Sequence, residues 1–148
     1  MSEFYASESL RAVVRERAQD CCEYCLSQMK FSLSPFVMDH IVPLSLGGKT
    51  ISENLALACP GCNMHKAVQL TARDPLTGRP VPLFHPRAQE WHDHFAWSME
   101  FGEILGRTST GRATVEALQL NRGGLQNLRW ALKMVGCHPP TSSPKPAP

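Results

Sequence analysis

Two Cys-x-x-Cys pairs constrain this chain more than anything else in it. Cys22 and Cys25 stand in CCEYC, and Cys59 and Cys62 stand in CPGC, with thirty-three residues between Cys25 and Cys59. Each pair turns the backbone tightly and can present two thiolates to one ion. Together they complete the tetrahedral sphere of zinc and leave no position for water, so the expected ion is structural. The gap is longer than in a compact zinc ribbon and must hold further structure. The competing uses are a redox dithiol at one pair or a disulfide. The polar, acidic stretch Met1–Leu10 does not read as an export signal, which favours metal over disulfides. Cys21, adjacent to Cys22, is read as a small buried apolar residue.

The 148 residues fit one compact unit with a small C-terminal extension. Hydrophobic residues make up 43% and charged residues 19%, an ordinary globular balance. No apolar run approaches the roughly 20 residues of a membrane span, so a soluble, cytoplasmic protein is expected. A net charge of +2 neither requires nor opposes a nucleic-acid partner.

Periodicity places a helix over residues 7–19, capped by Ser7 or Ser9, with its arginines on a solvated face. Residues 36–42 (FVMDHIV) read as a strand that Pro43 ends. Gly47-Gly48 marks a turn, residues 54–58 a second strand, and residues 63–71 a helix. Beyond lie an edge-like run over 79–84, a helix from Pro86 to Trp97, a strand candidate over 100–105, a helix opening at Thr110, a last helix over 125–135, and a Pro-rich tail from about residue 137 that composition makes disordered. The expected layout is a core over 1–75, a C-terminal α/β extension over 76–136 and the tail over 137–148.

Asp39 and His40 sit side by side in an otherwise apolar strand. Burying two such groups unpaired is costly, so they need a reason to be there. A structural hydrogen-bonded pair is one. Chemistry is the other: Asp39 and Asn63 offer hard oxygens suited to Mg²⁺, which takes few protein ligands. The His40 ring, projecting to the opposite side, has the pKa of a general base. A neutral imidazole must be held in one orientation, and Asn54 is suitably polar for that hydrogen-bonding role.

The motifs DHIVPLSLGG, ENLALACPGCN and Lys66 resemble the HNH endonucleases, and the four cysteines resemble the zinc ligands many members carry. The resemblance covers about residues 21–66. It implies an α+β fold, a ββα-metal core stapled by the four-cysteine zinc site with flanking helices. It also implies hydrolysis of phosphodiester bonds in DNA with Mg²⁺ or Mn²⁺. Asp39 then binds the catalytic metal, His40 is the general base, and Asn54 orients it. Asn63 completes the metal site at a position often held by His, and His65 is a less favoured substitute. Lys66 contacts a phosphate. The alternative is a zinc-bound nucleic-acid or protein adaptor without catalysis. His85, His92 and His94 near Trp91 and Trp97 are read as packing. The basic residues Arg107, Arg112, Arg122, Arg129 and Lys133 form either a DNA-facing flank or solvated helix faces, and Cys137 and His138 look incidental.

Overall fold

The computed structural model describes residues 5–141. The first helix, α1, spans Glu8–Ala18; the Ser7 side chain caps it by accepting from Leu10 N, and Val14 and Ala18 are buried. Gln19 and Asp20 then both take positive φ and swing the chain into the first knuckle. Arg17, expected on a solvated face, instead donates Nη2 to the carbonyls of Ser52 at 3.0 Å and Leu55 at 2.9 Å. Ser52 O already accepts from Leu55 N, so the guanidinium adds a second bond to that carbonyl.

Strands β1 (Val37–His40) and β2 (Leu55–Ala58) pair antiparallel, with Asp39 opposite Ala56 and His40 opposite Leu55. All of β2 is buried. Its outer edge is closed by Glu23, whose N–H donates to Leu57 O and whose Oε2 accepts from Leu57 N, both at 2.8 Å. Glu23 is buried and ion-paired with Arg87. A single knuckle residue thus replaces a third strand.

Helix α2 spans Pro60–Lys66, three residues earlier at its start than the expected 63–71 and ending sooner. The knuckle itself nucleates it. Cys59 Sγ caps by accepting from Cys62 N, and Pro60 occupies the first turn, where its missing N–H costs nothing. Ala67, at φ 48, stops it. Strands β3 (Thr71–Arg73) and β4 (Pro80–Pro82) form a second hairpin.

The helix expected over 86–97 shrinks to α3, Trp91–His94. Its last part becomes β5 (Phe95–Trp97), paired with β6 (Ile104–Gly106). Sheet pairing overrides the local helical pattern there. Helices α4 (Ser109–Ala117) and α5 (Gly123–Met134) follow. Thr108 caps α4, while α5 starts two residues earlier than expected, behind Arg122.

One core cluster runs through these parts, from Val14 and Tyr24 through Leu57 and Cys62 to Trp91, Leu118 and Leu125. Trp91, fully buried, donates Nε1 to Tyr24 O at 2.9 Å. Cys137 and His138 are not incidental. Cys137 O accepts from Gln28 Nε2 at 2.7 Å, and the His138 ring meets Trp97 edge-on and hydrogen-bonds Phe101 O. The rest of the expected tail, from residue 142, lies outside the described residues. No described helix is long and apolar enough to cross a membrane.

Candidate functional site

The knuckles bring Cys22, Cys25, Cys59 and Cys62 together, with all four sulfurs within 4.8 Å of one another. All four are buried and none is in a disulfide. Cys25 Sγ and Cys59 Sγ are 3.7 Å apart, far beyond bonding distance. Zn–S bonds of about 2.3 Å in a tetrahedron put neighbouring sulfurs at about 3.8 Å, so the cluster fits zinc. Within each knuckle the second cysteine's N–H points at the first sulfur: Cys25 N to Cys22 Sγ and Cys62 N to Cys59 Sγ, both 3.5 Å. Such donors stabilise thiolates. Burial pushes the Cys22 thiol well up, whereas contacts with the sulfurs of Cys22, Cys25 and Cys62 hold Cys59 well below the usual thiol range. Metal ligation requires the thiols to be deprotonated, and a divalent cation is the natural replacement for their protons. Among the described residues no other group of three or more His, Cys, Asp or Glu is placed to hold a metal.

Beside this cluster the hairpin delivers the polar pair. Asp39 is 3% exposed and faces inward. Its Oδ2 accepts from Tyr24 Oη at 2.7 Å and lies 3.2 Å from Lys66 Nζ, and its Oδ1 lies 3.4 Å from the same ammonium. Lys66 is 2% exposed and also donates to the carbonyls of His40 and Ile41, each at 3.2 Å. The expected phosphate contact by Lys66 is thus not what the fold provides. Its amine is committed to Asp39 and to the end of β1, because a buried ammonium needs several acceptors. Burial raises the Asp39 carboxyl, and Lys66 and Tyr24 pull it back down.

His40, on the other face of β1, is half-buried. Its Nε2 is 2.9 Å from Thr50 Oγ1. Burial lowers its pKa against the pull of Asp39, which keeps the ring neutral near pH 7. Asn54 does not touch that ring. Its Oδ1 accepts from Val42 N at 2.8 Å, and its Nδ2 donates to Val42 O at 3.0 Å and Lys49 O at 2.9 Å. The amide stands in for a missing strand and pins the loop that carries Thr50. Gly47, at φ 90, and Gly48 let the loop fold back; a Cβ on Gly48 would fall 1.7 Å from Val42 O. Asn54 thus contacts the loop whose Thr50 hydroxyl meets the His40 ring.

Asn63 and His65 are both half-buried on α2. Asn63 is three residues before Lys66 and so its neighbour on the helix surface, whereas His65 projects elsewhere. His85, His92 and His94 are dispersed in packing and local hydrogen bonds: His85 Nδ1 accepts from Arg87 N and Ala88 N, His92 meets the Trp91 ring, and His94 bonds Thr108.

With this geometry in view, residues 22–69 match the family model described as HNH endonuclease. We call the matched stretch the HNH segment. No curated protein matches the chain. The HNH segment begins at the first zinc-type cysteine and ends just past α2, so it holds both knuckles, the hairpin and the polar pair. Three contributors escaped the sequence reading. Tyr24, inside the first knuckle, carries no local signal for its role, although its hydroxyl meets Asp39. Thr50 carries no local signal beyond its place after Gly47-Gly48. Arg122, far outside the segment, places Nη2 3.2 Å from Cys59 Sγ, and no spacing rule points to it.

Proposed function

We propose that the HNH segment is the catalytic part of a metal-dependent DNA endonuclease. The observation that carries this reading is the His40 ring, half-buried, braced at Nε2 by Thr50, on the residue next to an inward carboxylate and on the opposite face of the strand. With the ring proton on Nε2 facing the hydroxyl, Nδ1 keeps a lone pair for a water molecule. His40 then takes the proton as that water attacks phosphorus in line, and the sugar oxygen departs, leaving a 5′-phosphate and a 3′-hydroxyl. Asp39 and Asn63 would hold a Mg²⁺ or Mn²⁺ ion, a carboxylate and an amide oxygen being donors that suit it. When bound, the ion supplies positive charge to the phosphate and the leaving oxygen. Oδ1 of Asp39 is the oxygen for that task, since among the described residues its one hydrogen bond is the long one to Lys66.

Plasmid incubated with the zinc-loaded protein and Mg²⁺ or Mn²⁺ tests this. His40→Ala is expected to lose roughly 10²- to 10⁴-fold in cleavage rate, the span of general-base catalysis. Wild type no faster than His40→Ala overturns it. A second reading has an observation of its own. Lys66 already supplies Asp39 with a buried cation, which is what a scaffold kept as a non-catalytic nucleic-acid or protein adaptor would need. On that reading plasmid is bound but not cut.

A further inference from the structure

The knuckles account for the four sulfurs but not for what lies against them. Arg122 Nη2 is 3.2 Å from Cys59 Sγ and 3.9 Å from Cys62 Sγ, and Nη1 is 3.7 Å from Cys62 Sγ. The guanidinium is not loosely draped there. Nη1 also donates to Gln119 O at 3.1 Å and Leu118 O at 3.3 Å, the carbonyls left open where α4 ends. The Arg122 N–H donates to Gln119 O, and the residue itself caps α5.

The second knuckle is shaped to receive this side chain. A Cβ on Gly61 would fall 2.3 Å from Arg122 Nη2 and 2.7 Å from its Cζ. Gly61 lies within α2 and its φ is not positive. Its backbone conformation therefore has no need of glycine, and alanine would favour the helix by about 1 kcal/mol. What the missing Cβ provides is room for the guanidinium. Charge gives the reason. Four thiolates around a divalent cation leave a net double negative charge in a site sealed from water, which is costly unless paired. Arg122 offsets part of it through N–H groups aimed at sulfur. Arg129, buried about two turns further along α5 and held by Gly102 O, Leu120 O and Asn121 Oδ1, adds a second positive charge nearby.

We propose that Arg122 is a working part of the four-cysteine metal site: an outer donor that aims N–H groups at the sulfurs of Cys59 and Cys62, slows loss of the ion, and fastens the C-terminal helices to the metal. This goes beyond the nuclease reading and does not depend on it, because its test reads metal release and not DNA cleavage.

The full chain loaded with one zinc is mixed with excess colorimetric chelator, and release is followed in time. Arg122→Ala is expected to release zinc about 10- to 100-fold faster, the usual cost of losing such an outer partner. Arg122→Lys falls between, since one ammonium cannot reach both sulfurs as a planar fork does. Gly61→Ala keeps every ligand and every charge but displaces the guanidinium, so it is expected to match Arg122→Ala. The double variant is expected to be no faster than either single one, as for two changes acting through one contact. Should Arg122→Ala fail to fold, Gly61→Ala carries the test alone. Leu125→Ala, which loosens α5 without touching the guanidinium, is expected to release zinc at the wild-type rate. Release from Arg122→Ala at the wild-type rate, fully additive effects in the double variant, or equal acceleration by Leu125→Ala overturns the proposal.

Discussion

At the scale of residues, the centre of the HNH segment is a charge problem solved locally. Asp39 is buried, so it needs a cation and a hydrogen-bond donor, and Lys66 and Tyr24 supply them. The two partners are unequal. Lys66→Met leaves Asp39 with Tyr24 and, given a raised carboxyl, the option of taking a proton. Asp39→Leu leaves Lys66 with only two carbonyls and no counter-charge. Removing one side of a buried pair costs about 3–5 kcal/mol when the survivor stays charged. Asp39→Leu is therefore expected to lose more stability than Lys66→Met in urea titrations at pH 7. The order should narrow as pH falls and the carboxyl protonates in the wild type. A Lys66→Met loss equal to that of Asp39→Leu would mean that the stranded carboxylate stays charged and costs as much as the stranded ammonium. The Asp39-His40 neighbourhood was legible from the sequence because polar residues inside an apolar strand demand partners. Which partners they find was not, since Tyr24 and Lys66 lie fifteen and twenty-seven residues from Asp39 in opposite directions.

At the scale of elements, the boundaries follow caps more closely than periodicity. The start of α2 is set by Cys59 and Pro60, and its end by Ala67 at φ 48 and ψ −127. A residue with a Cβ is strained there, at a cost of about 1–3 kcal/mol. Ala67 is exposed and loses little packing on substitution. Ala67→Gly relieves the strain but gains unfolded-chain freedom, which takes back about 0.4–1 kcal/mol. The net expectation is a stabilisation of about 1 kcal/mol, read as a higher urea midpoint with an unchanged slope. A lower midpoint would show that the surrounding chain, not Ala67, dictates that backbone. The same logic explains the misplaced α3. Residues 95–97 carry a helical pattern, yet β6 offers them backbone partners, and hydrogen bonding across space outranks a three-residue propensity.

At the scale of the whole molecule, the part of the chain beyond the HNH segment is held together by groups that respond to acid. Arg112 grips Asp74 through two bonds of 2.9 Å, joining α4 to the β3–β4 hairpin. The Arg112 hydrogen bonds hold the Asp74 carboxyl well below the usual carboxylate range. Burial lowers His85, His94 and His138. The signs agree. For each histidine the unfolded chain binds protons first, so the stability present above the unfolded value of about 6.5 is lost as pH falls toward the lower folded value. Asp74 adds stability that is complete above about 3.9 and is lost as pH falls below it. The melting temperature is expected to decline in two stages, one between about pH 7 and 5 and one below about pH 4. His138→Phe, which keeps a ring against Trp97, should make the first stage shallower, and Asp74→Asn should remove much of the second. A wild-type curve flat from pH 7 to 5 would remove the histidines from this account.

The sequence by itself determined the metal-type staple, the strand–loop–strand–helix order and the adjacency of Asp39 and His40. Each is written in short-range chemistry: two-residue knuckle spacings, β-branched runs, a Gly-Gly turn. Tertiary structure decided what those groups touch. It put Lys66 against Asp39 instead of at the surface, gave the His40 ring to Thr50, turned Asn54 to the loop backbone, and carried Arg122 across sixty residues to the sulfurs. The physical reason is common to all four. A buried charge or donor must be satisfied by whatever lies opposite once the core has closed, and no local pattern encodes what will lie opposite.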